Sequence, residues 1–159
     1  MEDPSRPGHV GRVASRAGSK GNEGVTQQVK QSEGAIGYVE LIYAEANHLP
    51  AAEIRNGAGR FIAPTLKTVT AAAESAKFAP DTDFRVSITD AGGEDAYPIA
   101  SFTWLLIHTG DQRSPKDAEI RAFITWMLEP AAQRMAADLL YSPLPVKLIE
   151  LVRDRLKVS

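Results

Sequence analysis

Residues 98–109, with the sequence PIASFTWLLIHT, form the segment that most constrains the fold of this chain. Their apolar side chains fall on both faces of an extended backbone, so a strand made from them has no face suited to water. Strands of this kind are typical of the interior of a sheet that helices cover on both sides. The sequence therefore predicts a central β-strand at residues 98–109, in a fold with helical layers around it.

Helical patterns on both sides of this segment can supply those layers. After Ser114-Pro115 the apolar side chains recur at helical spacing and predict one apolar stripe, formed by Ile120, Phe123, Ile124, Met127 and Leu128. Helices are also predicted at residues 24–31, with Asn22 as N-cap, and at residues 40–48, 65–77, 130–140 and from 145 onward.

Shorter extended segments alternate with these helices. Residues 35–39 predict a buried strand, and residues 84–89 predict a short strand with alternating side chains. A hairpin is predicted with its arms at residues 52–56 and 60–63 around a Gly-Ala-Gly turn, and residues 90–95 predict a glycine-rich loop. Because strands and helices interleave along the chain, the predicted class is α/β.

Composition narrows the classes of function. The chain has 159 residues, of which 43% are hydrophobic and 24% charged, which suits one compact domain or two small lobes. The net charge of −2 gives no long-range attraction for nucleic acid or for an anionic membrane. The absence of cysteine excludes disulfides, thiolate catalysis and cysteine-ligated zinc.

The first twenty residues differ in composition from the rest. They are rich in Pro, Gly, Ser and basic residues, and their branched aliphatic side chains are Val10 and Val13. Such a segment cannot bury enough apolar area to offset its ordering entropy, so a disordered or atypical tail is predicted at residues 1–20. A basic arm that binds an anion is the alternative. The segment carries no apolar stretch typical of a secretory signal, so the chain as written is predicted to be soluble and not exported, which leaves a cytoplasmic location open.

Four motifs in order give the chain a family resemblance. They lie at residues 20–25 (KGNEGV), at residues 34–40 (GAIGYVE, with Tyr43-Ala44 shortly after), at residues 93–99 (GEDAYPI) and at residues 138–145 (DLLYSPLP). In this order and spacing, over residues 20–157, the chain resembles the PstS-type phosphate-binding proteins of ABC phosphate uptake systems, within the periplasmic binding protein superfamily.

The resemblance implies a type II-like α/β fold in which two lobes close on one phosphate. It places residues 21–97 in the second lobe, and residues 98–159 in the crossing strand and C-terminal helices of the first lobe. It also implies phosphate capture without catalysis, ABC permease subunits as partners, no cofactor, and a location in the periplasm or at the cell surface.

One departure from the family concerns the ligands. In the family, phosphate is held by a Gly-rich loop with a Thr-Phe pair, by a serine-containing glycine turn with a nearby Asp, and by an Arg-x-Asp-x-Ser-Gly-Thr run. None of the three is found in this sequence. A truncated, C-terminal form without the main phosphate ligands is therefore predicted. The alternative is a non-transporting fragment that dimerises, or that needs a partner to fold, through apolar faces of its last helices.

The residues themselves offer one candidate ligand site. Gly21, Asn22 and Gly24 precede or begin a helix, where backbone N–H groups converge and can bind an anion. The alternative interpretation is a structural loop near the hinge, and Glu23 places a competing negative charge there.

Other constellations favour ordinary structure. The Gly-Ala-Gly turn at 57–59 lacks the third glycine of a dinucleotide fingerprint, and residues 92–95 lack the ligand pattern of a calcium loop. The histidines at 9, 48 and 108 have no metal-ligand spacing. Ser101, His108 and Asp111 are of the triad types, but no nucleophile elbow holds the serine. No metal, cofactor, nucleic acid or enzymatic activity is predicted.

Overall fold

A computed structural model describes residues 18–79, 82–107 and 115–158 of the chain. The predicted tail at residues 1–20 lies largely outside these ranges. Within them the elements, in chain order, are helix α1 (Gly21–Gln31), helix α2 (Leu41–Ala46), strands β1 (Ile54–Arg55) and β2 (Phe61–Ile62), and helices α3 (Leu66–Glu74), α4 (Pro115–Met127), α5 (Pro130–Asp138) and α6 (Val146–Val158). All six predicted helices are present.

Helix α1 starts earlier than the sequence predicts, and its predicted cap is wrong. The N-cap is Lys20, whose side chain makes no capping bond, and the first helical hydrogen bond runs from Gly24 N–H to the Lys20 carbonyl at 3.2 Å. Asn22 lies inside the first turn. Its side chain cannot cap the helix because it bonds to Glu40 instead.

Helix α3 begins where the Pro64-Thr65 pair predicts. Thr65 Oγ1 accepts from Thr68 N–H at 3.2 Å, and Thr68 Oγ1 accepts from Thr65 N–H at 3.0 Å, so each threonine satisfies a backbone donor of the other. The inner face of the helix is made of small residues, with Ala72 and Ala73 buried. The helix ends at Glu74, three residues before the predicted end at 77.

The predicted hairpin is confirmed. Strands β1 and β2 pair antiparallel with Ile54 opposite Ile62, and the turn between them is closed by a 2.9 Å bond from Gly59 N–H to the Asn56 carbonyl. Gly59 has φ +82°, a left-handed conformation that glycine adopts without steric cost.

Two of the other predicted strands, at residues 35–39 and 84–89, are wrong within the described residues. Residues 35–39 form no helix, belong to no sheet and lie on the surface: the side chains of Ile36 and Tyr38 are 99% and 92% exposed. Residues 84–89 follow a tight turn in which Asp83 and Phe84 have positive φ angles. A strand needs a neighbouring backbone to accept and donate its hydrogen bonds, and the described part of the chain offers these segments none.

The predicted central strand is wrong over residues 98–107, and its last two residues lie outside the described ranges. The segment has no ladder partner in the described part of the chain, and its apolar end is on the surface, with Leu106 96% exposed. The apolar pattern correctly indicates side chains suited to burial. It does not contain the second strand that a sheet requires.

The core lies between α3 and residues 86–102. Its buried members are Ala72, Ala73, Ile88, Ala96 and Ala100. Two backbone bonds hold the segment against the helix and fold it back on itself: Tyr97 N–H donates to the Thr68 carbonyl at 3.0 Å, and Asp90 N–H donates to the Pro98 carbonyl at 2.8 Å.

The C-terminal helices bury a second, smaller set of side chains. Ile124, Leu128, Ala132 and Leu148 are buried there. The single stripe predicted for α4 is split, because Ile120 and Phe123 point away from this set and are exposed together with Trp126. Apolar faces on these helices are therefore exposed, as the sequence predicts.

The mixture of helices with a short antiparallel sheet agrees with the predicted α/β class at its coarsest level. None of the helices in the described ranges is both long and apolar enough to cross a membrane.

Candidate functional site

The three residues predicted to contact a ligand all lie in the first turn of α1. Gly21 begins the helix with φ +69°, a conformation that favours glycine. Gly24 donates its N–H to the Lys20 carbonyl, so this donor is used by the helix itself. The structure thus brings Gly21, Asn22 and Gly24 together. The N–H groups before Gly24 have no carbonyl acceptor within the helix, so they are the ones that could bind a ligand.

Asn22 uses its side chain to join α1 to the residue before α2. Its Nδ2 donates to Glu40 Oε1 at 3.1 Å, and its Oδ1 accepts from the Glu40 backbone N–H at 3.4 Å. Glu40 is the N-cap residue of α2. The Asn22 amide is therefore committed to a protein partner on both of its polar atoms.

Glu23 places a carboxylate at the positive end of α1. The carboxylate accepts a bond from its own backbone N–H and a 2.9 Å bond from the Tyr43 hydroxyl, and these two bonds, the backbone bond foremost, lower the pKa of Glu23. A hypothetical Cβ on Gly21 would lie 3.1 Å from Glu23 Oε2, which shows how closely this carboxylate approaches the start of the helix. The chain supplies its own anion at this helix end.

Two tyrosines complete the group. Tyr43 donates to Glu23, and this bond, followed by the charge of the same carboxylate, raises the pKa of Tyr43. Tyr141 donates to Glu40 Oε2 at 2.7 Å, and this bond is the main cause that raises the pKa of Tyr141. Asn22, Glu23, Glu40, Tyr43 and Tyr141 are called the α1 polar cluster below.

Tyr141 reaches the cluster because of the way α5 ends. Leu140 has φ +60°, and the N–H groups of Leu140 and Tyr141 bond back to the carbonyls of Ala137 and Ala136, both at 2.9 Å. This is a Schellman turn, which reverses the chain directly after the helix. It carries Tyr141 to a residue 101 positions earlier in the sequence.

The α1 polar cluster joins three of the four sequence motifs. Residues 20–25 supply Asn22 and Glu23, residues 34–40 with the following tyrosine supply Glu40 and Tyr43, and residues 138–145 supply Tyr141. Sequence reasoning named these stretches but missed Glu40, Tyr43 and Tyr141 as members of a site. Membership in a motif was the available signal, and the spacing of the motifs could not show that their side chains meet.

The fourth motif, residues 93–99, packs instead against the turn of the β1–β2 hairpin. Asn56 Nδ2 lies within hydrogen-bonding distance of the carbonyls of Gly93, Glu94 and Ala96, at 3.1, 2.9 and 3.2 Å. Arg60 adds an ion pair with Asp95 at 2.9 Å. The Gly-Ala-Gly sequence therefore forms a hairpin turn, in agreement with the ordinary interpretation of that motif.

The remaining polar residues build no catalytic or metal centre that the described residues show. Within those ranges no three His, Asp or Glu side chains lie close enough to hold a metal ion. His48 is exposed at the end of α2, and the Ser101 hydroxyl donates to the adjacent Phe102 carbonyl. His9, His108 and Asp111 lie outside the described residues.

A groove of about 540 Å³ runs beside α3. It is lined by Leu66, Lys67, Thr70, Ala71, Glu74, Asp95, Ala137 and Pro143. The groove contains none of the residues predicted to contact a ligand, and its lining mixes one lysine with two carboxylates. It is therefore separate from the α1 polar cluster and offers no concentration of positive charge for an anion.

Comparison with known proteins gives a family. Residues 7–131 match the model of the PBP superfamily domain. The chain is 39% identical over 137 residues to a protein of Xylella fastidiosa named as phosphate-binding protein PstS, which covers 84% of this chain and 36% of that protein.

Two further relatives carry the same name. The Haemophilus influenzae protein is 32% identical over 142 residues, covering 89% of this chain and 42% of that protein. The Methanocaldococcus jannaschii protein is 38% identical over 119 residues, covering 69% of this chain and 31% of that protein. The chain thus spans about a third to two fifths of the length of the curated relatives it matches.

Proposed function

The chain belongs to the PBP superfamily, as a PstS-type member, and from that premise we propose that it acts as the phosphate-binding component of an ABC-type phosphate transporter. The observation that carries this proposal is the 39% identity over 84% of the chain to a phosphate-binding protein. By the same proposal the protein captures and releases phosphate without catalysis, hands it to ABC permease subunits, and works in the periplasm or at the cell surface.

We further propose that the chain contributes two parts of a type II-like binding protein. Residues 21–97 form second-lobe structure, and residues 98–159 form the crossing segment and C-terminal helices of the first lobe, with residues 1–20 as an atypical tail. One set of buried side chains lies around α3 and another among α4, α5 and α6, which supports this division, although Ala100 of the crossing segment is buried with the first set. In such a protein, ligand binding closes the lobes because only the closed state makes both sets of contacts.

The principal phosphate ligands of the family have no counterpart in this sequence, so the proposed contribution of the chain is mainly scaffold. Its own contact with phosphate is proposed at Gly21, Asn22 and Gly24. A phosphate at this helix end would accept bonds from the first N–H groups of α1, and it would have to displace the Glu23 carboxylate from them. Competition with an internal anion makes this contact weak.

A thermal melt with millimolar phosphate, and with sulfate at equal ionic strength as the control, tests the function. Phosphate at about 100 times Kd adds roughly 2.7 kcal/mol of stability, a shift of several degrees for a domain of this size. Because the remaining contact is weak, we expect a phosphate-specific shift well below this size, and a shift of the full size would contradict the loss of the main phosphate ligands. A folded sample that melts at the same temperature in both anions would contradict phosphate binding by this chain.

Two variants separate the function from the proposed contact. Glu23→Gln removes the competing carboxylate and is expected to enlarge the phosphate shift, whereas Glu45→Gln, the same substitution at an exposed position of α2, is the matched control and should leave it unchanged. If both variants leave the shift as it is in the wild type, the proposed contact is wrong while phosphate binding stands.

A second candidate function is favoured by the exposed apolar side chains. Ile36, Leu106 and the outer face of α4 lie uncovered by the described residues. In this alternative the chain does not transport, and it dimerises or folds fully only against a partner. A melting temperature that rises with protein concentration and ignores phosphate would support this alternative over transport.

A further inference from the structure

The turn between β1 and β2 contains a chemically reactive dipeptide. Of the three asparagines at 22, 47 and 56, only Asn56 is followed by glycine. In an Asn–Gly pair the backbone nitrogen of the glycine can attack the side-chain carbonyl of the asparagine, because no Cβ on the glycine hinders the approach. The attack forms a five-membered imide and expels ammonia. The rate of this reaction depends on how freely the glycine nitrogen and the asparagine side chain can approach each other.

The fold holds both groups. Asn56 is only 5% exposed, and its Nδ2 lies within bonding distance of three carbonyls of residues 93–96, while its Oδ1 accepts from Arg60 N–H at 3.0 Å. The Gly57 N–H, which is on the attacking nitrogen, donates to Asp90 Oδ1 at 2.9 Å. The Asn56 Nδ2, which is the leaving group, is thus held by the carbonyls of residues 93–96, while the Gly57 nitrogen, which is the nucleophile, is held by Asp90.

We propose that Asn56-Gly57 is a latent deamidation site, inert in the folded chain and released by opening of the hairpin from residues 90–96. On release, Gly57 N loses its proton to solvent base and bonds to Asn56 Cγ. The Cγ–Nδ2 bond breaks as Nδ2 takes up a proton from solvent, and ammonia leaves. Water then opens the imide at either carbonyl and yields aspartate or isoaspartate at position 56. The step consumes water, releases ammonia and needs no oxidant, reductant or cofactor.

The product cannot return to the native contacts. A carboxylate at position 56 has no hydrogen to give the three carbonyls that now receive the Asn56 amide, and its charge would be buried among their oxygen atoms. The isoaspartyl form also lengthens the main chain within a tight turn. Opening of the hairpin is reversible, but once Asn56 has deamidated during an opening, the hairpin cannot regain its native contacts.

Peptide mapping of the full chain measures the reaction. The wild-type protein is incubated at mildly alkaline pH with and without urea, and the samples are cleaved after glutamate. The peptide of residues 54–74 contains Asn56 as its sole asparagine, so its mass change reports this site alone. We expect deamidation in the folded chain to be at least about tenfold slower than in urea, because reaction must wait for local opening. Equal rates in the two solutions would overturn the proposal.

Variants test which contacts give the protection. Asp90→Ala frees the Gly57 N–H and is expected to speed deamidation of the folded chain, while Asp83→Ala, at another exposed aspartate, is the matched control and should not. A native rate unchanged by Asp90→Ala would refute the role of this bond. Gly57→Ala should slow the reaction in urea, where folding plays no part, and Asn56→Asp should lower the melting temperature more than Asn47→Asp does.

Discussion

Single side chains join parts of this chain that are far apart in sequence. Asn56 links the hairpin turn to a loop about forty residues later, and Tyr141 links the end of α5 to the start of α2. Both use polar atoms in fixed directions, so their removal is not compensated by a shift of neighbouring side chains. Removal of either side chain should therefore lower the free energy of unfolding without changing the helix content.

Replacement of Asn56 by alanine should be costly. The change removes the donor shared by the carbonyls of residues 93, 94 and 96, of which only the first keeps a backbone hydrogen bond among the described residues, from Ala96 N–H. An unsatisfied buried polar group costs about 1–3 kcal/mol. We expect a loss of about 2–3 kcal/mol in the free energy of unfolding by urea. Asn47→Ala, at a more exposed asparagine with two side-chain bonds, should cost less. Equal losses in the two variants would contradict the role of Asn56.

The pair of Glu23 and Tyr43 should make the stability depend on pH at both extremes. The pKa of Glu23 is lowered below 4.5 in the folded chain, so its contribution is present above that value and is lost as pH falls through the lowered pKa. The pKa of Tyr43 is raised above 10, so its contribution is present below that value and is lost as pH rises through the raised pKa.

NMR titration of the Glu23 carboxyl checks the acid side. Its midpoint should lie below 4.5, and Tyr43→Phe should move it upward, because one of the two bonds that lower the pKa is removed. Tyr38→Phe, at an exposed tyrosine outside the α1 polar cluster, should leave the midpoint unchanged. A midpoint that does not respond to Tyr43→Phe would show that the bond is absent in solution.

At the scale of the elements, some helix ends could be predicted from the sequence and others could not. Helices α2 and α5 both end in Schellman turns, with His48 and Leu140 in the left-handed conformation. Neither residue is the glycine that such a position favours, so neither turn could be recognised from composition. Proline before α3 and at the start of α4 and α5, in contrast, marked the beginnings of helices correctly.

Replacement of His48 by glycine should stabilise the chain. The φ of His48 is +54° and its side chain is exposed, so the substitution removes left-handed strain and loses little packing. We expect a gain of about 0.5–1 kcal/mol in urea unfolding. His48→Ala, which keeps the Cβ, is the matched control and should give no gain. If the alanine variant were stabilised as much as the glycine variant, strain at this position would not be the cause.

At the scale of the whole molecule, apolar side chains remain on the surface of the described residues. Ile36 and Tyr38 lie between α1 and α2, Leu105 and Leu106 lie near residue 107, and Phe123 with Trp126 lie on α4. Exposed apolar side chains of this size favour association in water when a partner surface can cover them.

Self-association should therefore depend on these side chains. The double variant Ile36→Ser and Leu106→Ser is expected to weaken association by at least about tenfold, since burying one such side chain contributes roughly 1.5–3 kcal/mol. Sedimentation velocity over a range of protein concentrations gives the measurement. Gln27→Ser, on an exposed polar face of α1, is the control and should change nothing. A wild-type chain that is monomeric at all concentrations would contradict the expectation.

The sequence by itself determined the helices, the hairpin and the family, because periodicity, proline, turn residues and motif order are properties of short stretches of chain. It also placed Gly21, Asn22 and Gly24 together at the start of one helix. Only the tertiary structure decided which residues lie around them: Glu23 occupies that helix end, Asn22 is bound to Glu40, and Tyr141 arrives from the far end of the chain. It also decided against three predicted strands, because a strand depends on a second backbone that its own residues do not specify.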